Sequence, residues 1–128
     1  FLKSYYTECK FDSSTELNFA NVLEADKNVI RWLRPAPNQF NIFWANGSKR
    51  YEPDFIVETS DCIYMVETKA VKDLTAKDVL AKKAAAEEYC KNATEYTSKN
   101  GGKPWKYHLL RHDIVERSNS FEYLIRSF

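Results

Sequence analysis

The sequence predicts a single mixed α/β domain in which helices flank a central mixed sheet. The chain has 128 residues, the length of one domain. With 44% hydrophobic and 29% charged residues, three glycines and four prolines, its composition excludes a disordered or low-complexity protein. The hydrophobic periodicity alternates between helical and extended patterns, and no apolar run reaches the roughly 18 residues that span a bilayer. We therefore expect a helix, three or four strands, a long helix, a strand and a short helix.

The first helix is predicted to begin at Ser13 and to end near Asp26. Ser13 and Glu16 have the spacing of a capping box, and apolar residues then fall on one face: Phe19, Ala20 and Leu23. Residues 1–12 mix aromatic and polar types, and we interpret them as a linker or the tail of a preceding domain. This places the domain itself at 13–128. Because the chain lacks an initiator methionine, we expect it to be part of a longer protein.

Extended segments follow the first helix. A short one covers residues 29–33 and is ended by two prolines, and another alternates over residues 40–44 before an Asn46-Gly47 turn. Two further strands, rich in β-branched and aromatic residues, are predicted over residues 51–57 and 63–69.

The second half of the chain predicts a helix, a strand and a short helix. Residues 75–97 are alanine-rich, and one helical stripe carries Val79, Ala86, Cys90 and Ala93. Glycines and a proline in residues 100–104 end this helix, and a strand runs from Trp105 to about His112. Ser120 is a candidate cap for the last helix, whose apolar face carries Phe121, Leu124, Ile125 and Phe128.

Charged residues gather at one end of the two central strands. If Ser60-Asp61 is a two-residue hairpin loop, Asp54 lies directly opposite Glu67 and on the same face of the sheet. Lys69 is two residues beyond Glu67 and therefore points to that face as well. Both faces of the pair are otherwise apolar, which is typical of strands in the middle of a sheet.

Two adjacent carboxylates repel each other, and burying them is costly unless a cation is bound. Oxygen ligands at this spacing suit Mg²⁺, and Lys69 would position a water molecule and stabilise charge on a phosphate. An alternative interpretation is that Asp54 and Glu67 are ordinary hairpin charges that Lys69 neutralises at the edge of the sheet.

The residues Pro53-Asp54 and Glu67-Thr68-Lys69 resemble the motif of the PD-(D/E)XK nuclease superfamily. The resemblance implies the restriction-endonuclease-like core, in which a helix, a three-stranded antiparallel meander, a helix and a strand follow one another. The chain is most similar to the C-terminal endonuclease domain of the Res subunit of Type III restriction-modification enzymes. The most specific stretches are residues 51–57, 66–70, 84–90 and 100–107.

This resemblance implies roles for individual residues. Asp54 and Glu67 would bind Mg²⁺ together with the backbone carbonyl of Thr68, and Mn²⁺ can replace Mg²⁺. Lys69 would orient the attacking water. Superfamily members often add an acid from the first helix, and Glu16 matches it, with the helix cap as its alternative role. Glu24 is the poorer match because it lies about 80° round the helix from Glu16.

Lys82 and Lys83 flank the apolar stripe of the long helix, where superfamily members sometimes place a residue that contacts the substrate. A solvated helix face is the alternative. His108 and His112 belong to no metal-binding or nucleophile pattern, and a structural role is expected for both.

The implied activity is Mg²⁺-dependent hydrolysis of phosphodiester bonds in double-stranded DNA. In a Type III enzyme, an N-terminal helicase-like motor precedes the nuclease domain, and a DNA methyltransferase (Mod) subunit recognises the site. This chain has no Gly-rich phosphate loop, so ATP would serve only a motor outside it. Three cysteines without a CxxC pair favour a reducing cytoplasm, and no membrane partner is expected.

Two other functions remain open at this level. One is a stand-alone repair or recombination nuclease with the same core. The other is a catalytically inactive relative that binds DNA or a partner, which the intact Asp54, Glu67 and Lys69 disfavour.

The net charge of +1 hides an uneven distribution. Residues 69–106 carry nine lysines against five acids, whereas residues 1–64 carry seven basic and nine acidic residues. Because a cation site must be acidic and the DNA-facing surface around it basic, near-neutrality is compatible with a small nuclease domain.

Overall fold

The computed structural model describes residues 1–6, 10–36, 39–44, 49–70, 72, 77–117 and 120–127. The elements in chain order are α1 (Ser14–Ala25), β1 (Val29–Leu33), β2 (Ile42–Trp44), β3 (Lys49–Tyr51), β4 (Phe55–Thr59), β5 (Ile63–Lys69), α2 (Lys77–Lys99), β6 (Trp105–Arg111), α3 (His112–Arg117) and α4 (Phe121–Ser127).

The central sheet has the strand order β1-β4-β5-β6. Strands β1, β4 and β5 are antiparallel neighbours, and β5 pairs with β6 in parallel. The parallel pair needs a crossover connection, and α2 provides it. The predicted mixed sheet with an antiparallel meander is therefore confirmed, with β4 and β5 as its two central strands. Strands β2 and β3 form a separate hairpin, inserted between the first and second strands of the meander.

Each face of the sheet is covered by a different apolar cluster. The larger cluster joins α1, α3 and α4 to one face, and its largest fully buried side chains are Trp32, Phe19, Phe55, Phe121, Leu23, Leu110 and Leu124. The second cluster joins α2 and the β2–β3 hairpin to the other face through Ile42, Ile56, Met65, Ala86 and Cys90. None of the helices among the described residues is long and apolar enough to cross a membrane.

The predicted cap of α1 is confirmed. Ser13 has extended backbone, and its hydroxyl accepts a hydrogen bond from the Glu16 N–H at 3.2 Å. The Glu16 carboxylate reaches back to the Asp12 N–H at 3.1 Å, one residue before the position that a capping box would use. Ser120 likewise caps α4, because its hydroxyl accepts from the Tyr123 N–H at 3.3 Å.

The prediction of one continuous strand over residues 51–57 is wrong. The segment divides into the end of β3 and the start of β4, on either side of the buried Pro53. Proline has no N–H to donate and cannot continue a central ladder, so the chain bends there.

Two smaller differences concern the ends of elements. The last strand ends at Arg111, and His112 instead begins α3, a six-residue helix that the sequence pattern does not predict because it is too short to show a helical period. The Asn46-Gly47 turn and residues 75–76 of the predicted second helix lie outside the described residues.

The beginning of the chain packs along the edge strand β1. The N–H of Tyr5 donates to the Trp32 carbonyl at 2.8 Å, and the N–H of Trp32 donates to the Lys3 carbonyl at 3.0 Å. The Glu24 carboxylate accepts from the Lys3 N–H at 2.9 Å and from the Trp32 indole at 2.8 Å. Glu24 therefore ties this segment to α1, while the predicted domain boundary near residue 13 stays a prediction.

Candidate active site

The β4–β5 hairpin has the predicted register. Phe55 pairs with Val66 and Val57 with Tyr64, and the N–H of Thr59 donates to the Cys62 carbonyl at 2.9 Å across the two-residue loop. Continued by one residue beyond β4, this register places Asp54 opposite Glu67. Side chains directly opposite each other share a face, so both carboxylates point to the face that α2 covers.

Asp54 is held by the strand that carries Glu67. One carboxylate oxygen, Oδ2, accepts hydrogen bonds from the Thr68 backbone N–H at 2.9 Å and from the Thr68 hydroxyl at 3.4 Å. Burial, aided by the charges of Glu67 and Glu16, raises the pKa of Asp54 to about 6 against the opposing effects of the Thr68 N–H and Arg34. The raised pKa means that the Thr68 N–H and Arg34 do not fully offset the cost of burying the negative charge of Asp54.

Glu67 is buried, and two side chains contact its carboxylate from different directions. Lys69 Nζ lies 3.6 Å from Oε1, and the Tyr107 hydroxyl donates a hydrogen bond to Oε2 at 3.3 Å. Lys69 is about one-third exposed, so its ammonium group lies between the carboxylate and solvent. The structure thus brings together the three predicted residues Asp54, Glu67 and Lys69.

Two buried tyrosines near Glu67 are not predicted as site residues from the sequence. Tyr107 lies on β6 beside Met65, two residues before the partner of Glu67, and is hydrogen-bonded with Tyr51. Burial and the charge of Glu67 hold the pKa of both phenols well above its usual range, so both remain neutral donors. The alternation of Trp105, Tyr107 and Leu109 predicts that they share a face. Only the parallel register with β5 brings the Tyr107 hydroxyl within reach of the Glu67 carboxylate.

Glu16 lies at the margin of this acidic group. It is 8% exposed, and its charge contributes to the raised pKa of Asp54. Its Oε1 atom forms an ion pair with Arg34 Nη1 at 2.5 Å and accepts the Asp12 N–H. The predicted capping box with Ser13 is therefore half formed, because Ser13 accepts the Glu16 N–H while the Glu16 carboxylate accepts from Asp12, and a role of Glu16 in catalysis stays a prediction. Arg34, just beyond β1, adds a positive charge beside Glu16 and Asp54, and no pattern in the sequence predicts its position there.

Lys82 and Lys83 have different surroundings on α2. Lys82 Nζ lies 5.1 Å from the centre of the Trp44 ring and 5.9 Å from that of Tyr51, where its charge interacts with the two aromatic faces. Lys83 is exposed on a shallow surface that it shares with Glu87. Contact of either lysine with a substrate stays a prediction. His108 packs on Tyr64 with ring centres 5.6 Å apart, on the opposite face of the sheet from Glu67.

The donor atoms of the site fit a hard divalent cation. The partly buried Asp54 lies opposite the buried Glu67, and Mg²⁺ is commonly bound by one or two carboxylates together with water molecules. Among the described residues, no group of three or more His, Cys, Asp or Glu side chains is close enough to hold a metal ion. Asp54 and Glu67 would hold Mg²⁺, with the Thr68 backbone carbonyl as the third predicted ligand.

Comparison with known proteins gives one result. A family model described as an endonuclease domain matches residues 2–101. This range covers most of the chain and includes Asp54, Glu67 and Lys69, whereas β6 with Tyr107 lies beyond it. No curated protein and no solved structure matches the chain significantly. The arrangement of the two carboxylates and the lysine on adjoining central strands agrees with this match, and the chain belongs to the family of endonuclease domains.

Proposed function

We propose that this endonuclease domain is a Mg²⁺-dependent deoxyribonuclease and forms the nuclease part of a Type III restriction enzyme Res subunit. The observation that carries the proposal is the opposition of the partly buried Asp54 and the buried Glu67, with Lys69 Nζ 3.6 Å from Glu67 Oε1. A bound cation would neutralise the negative charge of Asp54 and Glu67, and Lys69 lies between Glu67 and solvent.

Each residue has a specific task in the proposed hydrolysis. Asp54, oriented by the Thr68 N–H, and Glu67, oriented by Tyr107, provide the carboxylate oxygens. Lys69 orients a water molecule for in-line attack on phosphorus and counters the charge that develops on the phosphate oxygens. When bound, Mg²⁺ supplies a Lewis acid that favours both water deprotonation and phosphate binding. Mn²⁺ offers similar chemistry and is expected to replace it.

The Type III assignment is the finer part of the proposal, and the sequence stretches around residues 51–57, 66–70, 84–90 and 100–107 support it. It implies double-stranded DNA as the substrate, a cytoplasmic location, an ATP-driven motor in the full-length chain, and a DNA methyltransferase (Mod) partner. A methyltransferase gene beside the gene for this protein would support it. A neighbouring set of recombination genes would favour a repair nuclease instead.

Cleavage of supercoiled plasmid in Mg²⁺ or Mn²⁺ tests the activity. We expect nicking by the wild-type chain and none by Asp54→Ala or Lys69→Ala. The matched controls are Asp61→Ala and Lys106→Ala, because both side chains are exposed and lie away from Glu67. Nicking that survives the Asp54 and Lys69 substitutions would refute the site.

Calorimetric titration with Mg²⁺ tests the metal site without requiring cleavage. The wild-type chain and Asp61→Ala should bind the ion, whereas Asp54→Ala should not. Equal binding by all three proteins would refute the proposed ligands even if DNA is cut. An inactive relative, the alternative from another class, would bind DNA without cutting it under any of these conditions.

A further inference from the structure

We infer that Arg111 binds a backbone phosphate of the DNA strand at the active site. The inference rests on the proposed function and adds a substrate contact to it. It starts from the register of the parallel pair, in which β5 and β6 run side by side from Ile63 and Trp105 to Lys69 and Arg111. Neighbouring strands lie about 4.8 Å apart, so Arg111 ends its strand immediately beside Lys69.

Arg111 also lies on the catalytic face of the sheet. Side chains two apart in a strand share a face, and Tyr107, four residues earlier in β6, points to Glu67. Lys69 and Glu67 are related in the same way on β5. The two cations therefore project from the same edge of the same face, next to the two carboxylates.

The guanidinium of Arg111 is held in a defined orientation. Its Nε atom donates to Asp113 Oδ1 at 3.1 Å and its Nη2 atom donates to Oδ2 at 2.7 Å. This two-point pairing uses one edge of the planar fork. Nη1 has no hydrogen-bond partner among the described residues, and the side chain is 41% exposed. An oriented donor edge thus remains accessible beside Lys69.

A phosphate is the ligand that fits this donor. Lys69 is engaged with Glu67 and is assigned to the attacking water, which leaves Arg111 as the neighbouring cation that can hold the negatively charged strand. Arginine stays protonated at all working pH values and pairs with phosphate oxygens through two parallel N–H groups.

Fluorescence anisotropy of a short labelled DNA duplex, with Ca²⁺ in place of Mg²⁺ and at several salt concentrations, tests the inference. Arg111→Ala should weaken binding about 10-fold and reduce the slope of log affinity against log salt by about 1. Arg111→Lys should restore the slope but only part of the affinity, because one phosphate contact returns without the fork. The matched control is Arg126→Ala, which removes an exposed arginine paired with Glu122 at 2.7 Å.

Affinity and slope equal to those of Arg126→Ala would overturn the role of Arg111. Thermal unfolding shows whether Arg111→Ala is folded. If it is not, the DNA affinity of Arg111→Lys, compared with that of the wild type, decides the test. Plasmid nicking separates this result from the proposed function. If Asp54→Ala abolishes nicking but Arg111→Ala keeps the wild-type KM, only the Arg111 inference fails. If Asp54→Ala nicks normally, or if the wild-type chain does not bind the duplex, the function on which the inference rests fails.

Discussion

The carboxylates at the two ends of the β4–β5 hairpin differ in how far neighbouring cations neutralise them. Near the loop, Glu58 has two cations, with Arg31 Nε 2.8 Å from Oε1 and Lys103 Nζ 2.5 Å from Oε2. At the other end, the partly buried Asp54 lies opposite the buried Glu67, and Lys69 Nζ lies 3.6 Å from Glu67 Oε1.

The difference indicates that Glu58 contributes to the stability of the hairpin, whereas Asp54 and Glu67 carry the proposed function at a cost in stability. The Glu58 side chain is 24% exposed, and its two ion pairs stabilise the hairpin modestly because water screens them. Two opposed carboxylates that are largely withdrawn from water destabilise the metal-free protein, and the proposed Mg²⁺ would relieve that repulsion.

The largest effect is expected on DNA cleavage. Asp54→Asn should reduce the rate in Mg²⁺ on the order of 1,000-fold, because an amide is a poor replacement for a ligand carboxylate. Glu58→Gln changes an acid of the same hairpin in the same isosteric way and should leave the rate within about 2-fold of wild type. Similar cleavage rates for Asp54→Asn and Glu58→Gln would contradict the proposal that only the Asp54 end of the hairpin serves catalysis.

The same Asp54→Asn substitution should stabilise the protein in the absence of metal. Folded Asp54, with its pKa raised to about 6, keeps its proton where the unfolded carboxyl has already lost it. The metal-free wild type should therefore lose stability as the pH rises from about 4 to about 6. By pH 7 this loss should be on the order of 2–3 kcal/mol relative to Asp54→Asn.

Urea unfolding of both proteins across this range measures the difference. It should be near zero at pH 4, increase with pH, and shrink when Mg²⁺ is added to the wild type. A difference that does not vary with pH would contradict the raised pKa of Asp54.

A smaller effect is expected for the hydrogen bond to Glu67. Tyr107→Phe removes the donor to Oε2 but keeps the ring, and a lost outer contact of this kind weakens metal binding about 10-fold or more. Tyr96→Phe is the matched control, because Tyr96 is 70% exposed on α2. Titration with Mg²⁺ gives the two dissociation constants. Equal values would mean that Tyr107 does not position Glu67.

The smallest effect is expected at the loop end of the hairpin. Glu58→Gln removes the charge that Arg31 and Lys103 share and should lower the free energy of unfolding by about 1 kcal/mol near pH 7. The loss should decrease at high salt, since screening weakens the ion pairs. Urea unfolding at low and high salt measures both effects, and a salt-independent loss would indicate a packing defect instead.

The part of the site predictable from the sequence is the part fixed by local geometry. A two-residue loop determines the register of its hairpin, and that register brings Asp54 opposite Glu67 without further information. The cap at Ser13 is equally local. Lys69 follows from the period of two along a strand.

The other contacts depend on where distant segments pack. Tyr107 reaches Glu67 only because the crossover through α2 returns β6 beside β5 in one particular parallel register. Arg34 pairs with Glu16 because α1 packs near the end of β1, and no spacing in the sequence encodes that contact. The break at Pro53 was open to prediction, since proline cannot donate in a central ladder.

That break has a consequence for how the domain tolerates change. The β2–β3 hairpin enters the meander immediately before Asp54, yet Pro53 keeps its backbone ladder separate from that of β4. Because β4 takes its register from β1 and β5, the separation of the two carboxylates does not depend on the length of the hairpin. We therefore expect the length of this hairpin to vary among natural sequences, provided that Ile42 and Tyr51 keep their packing beneath α2.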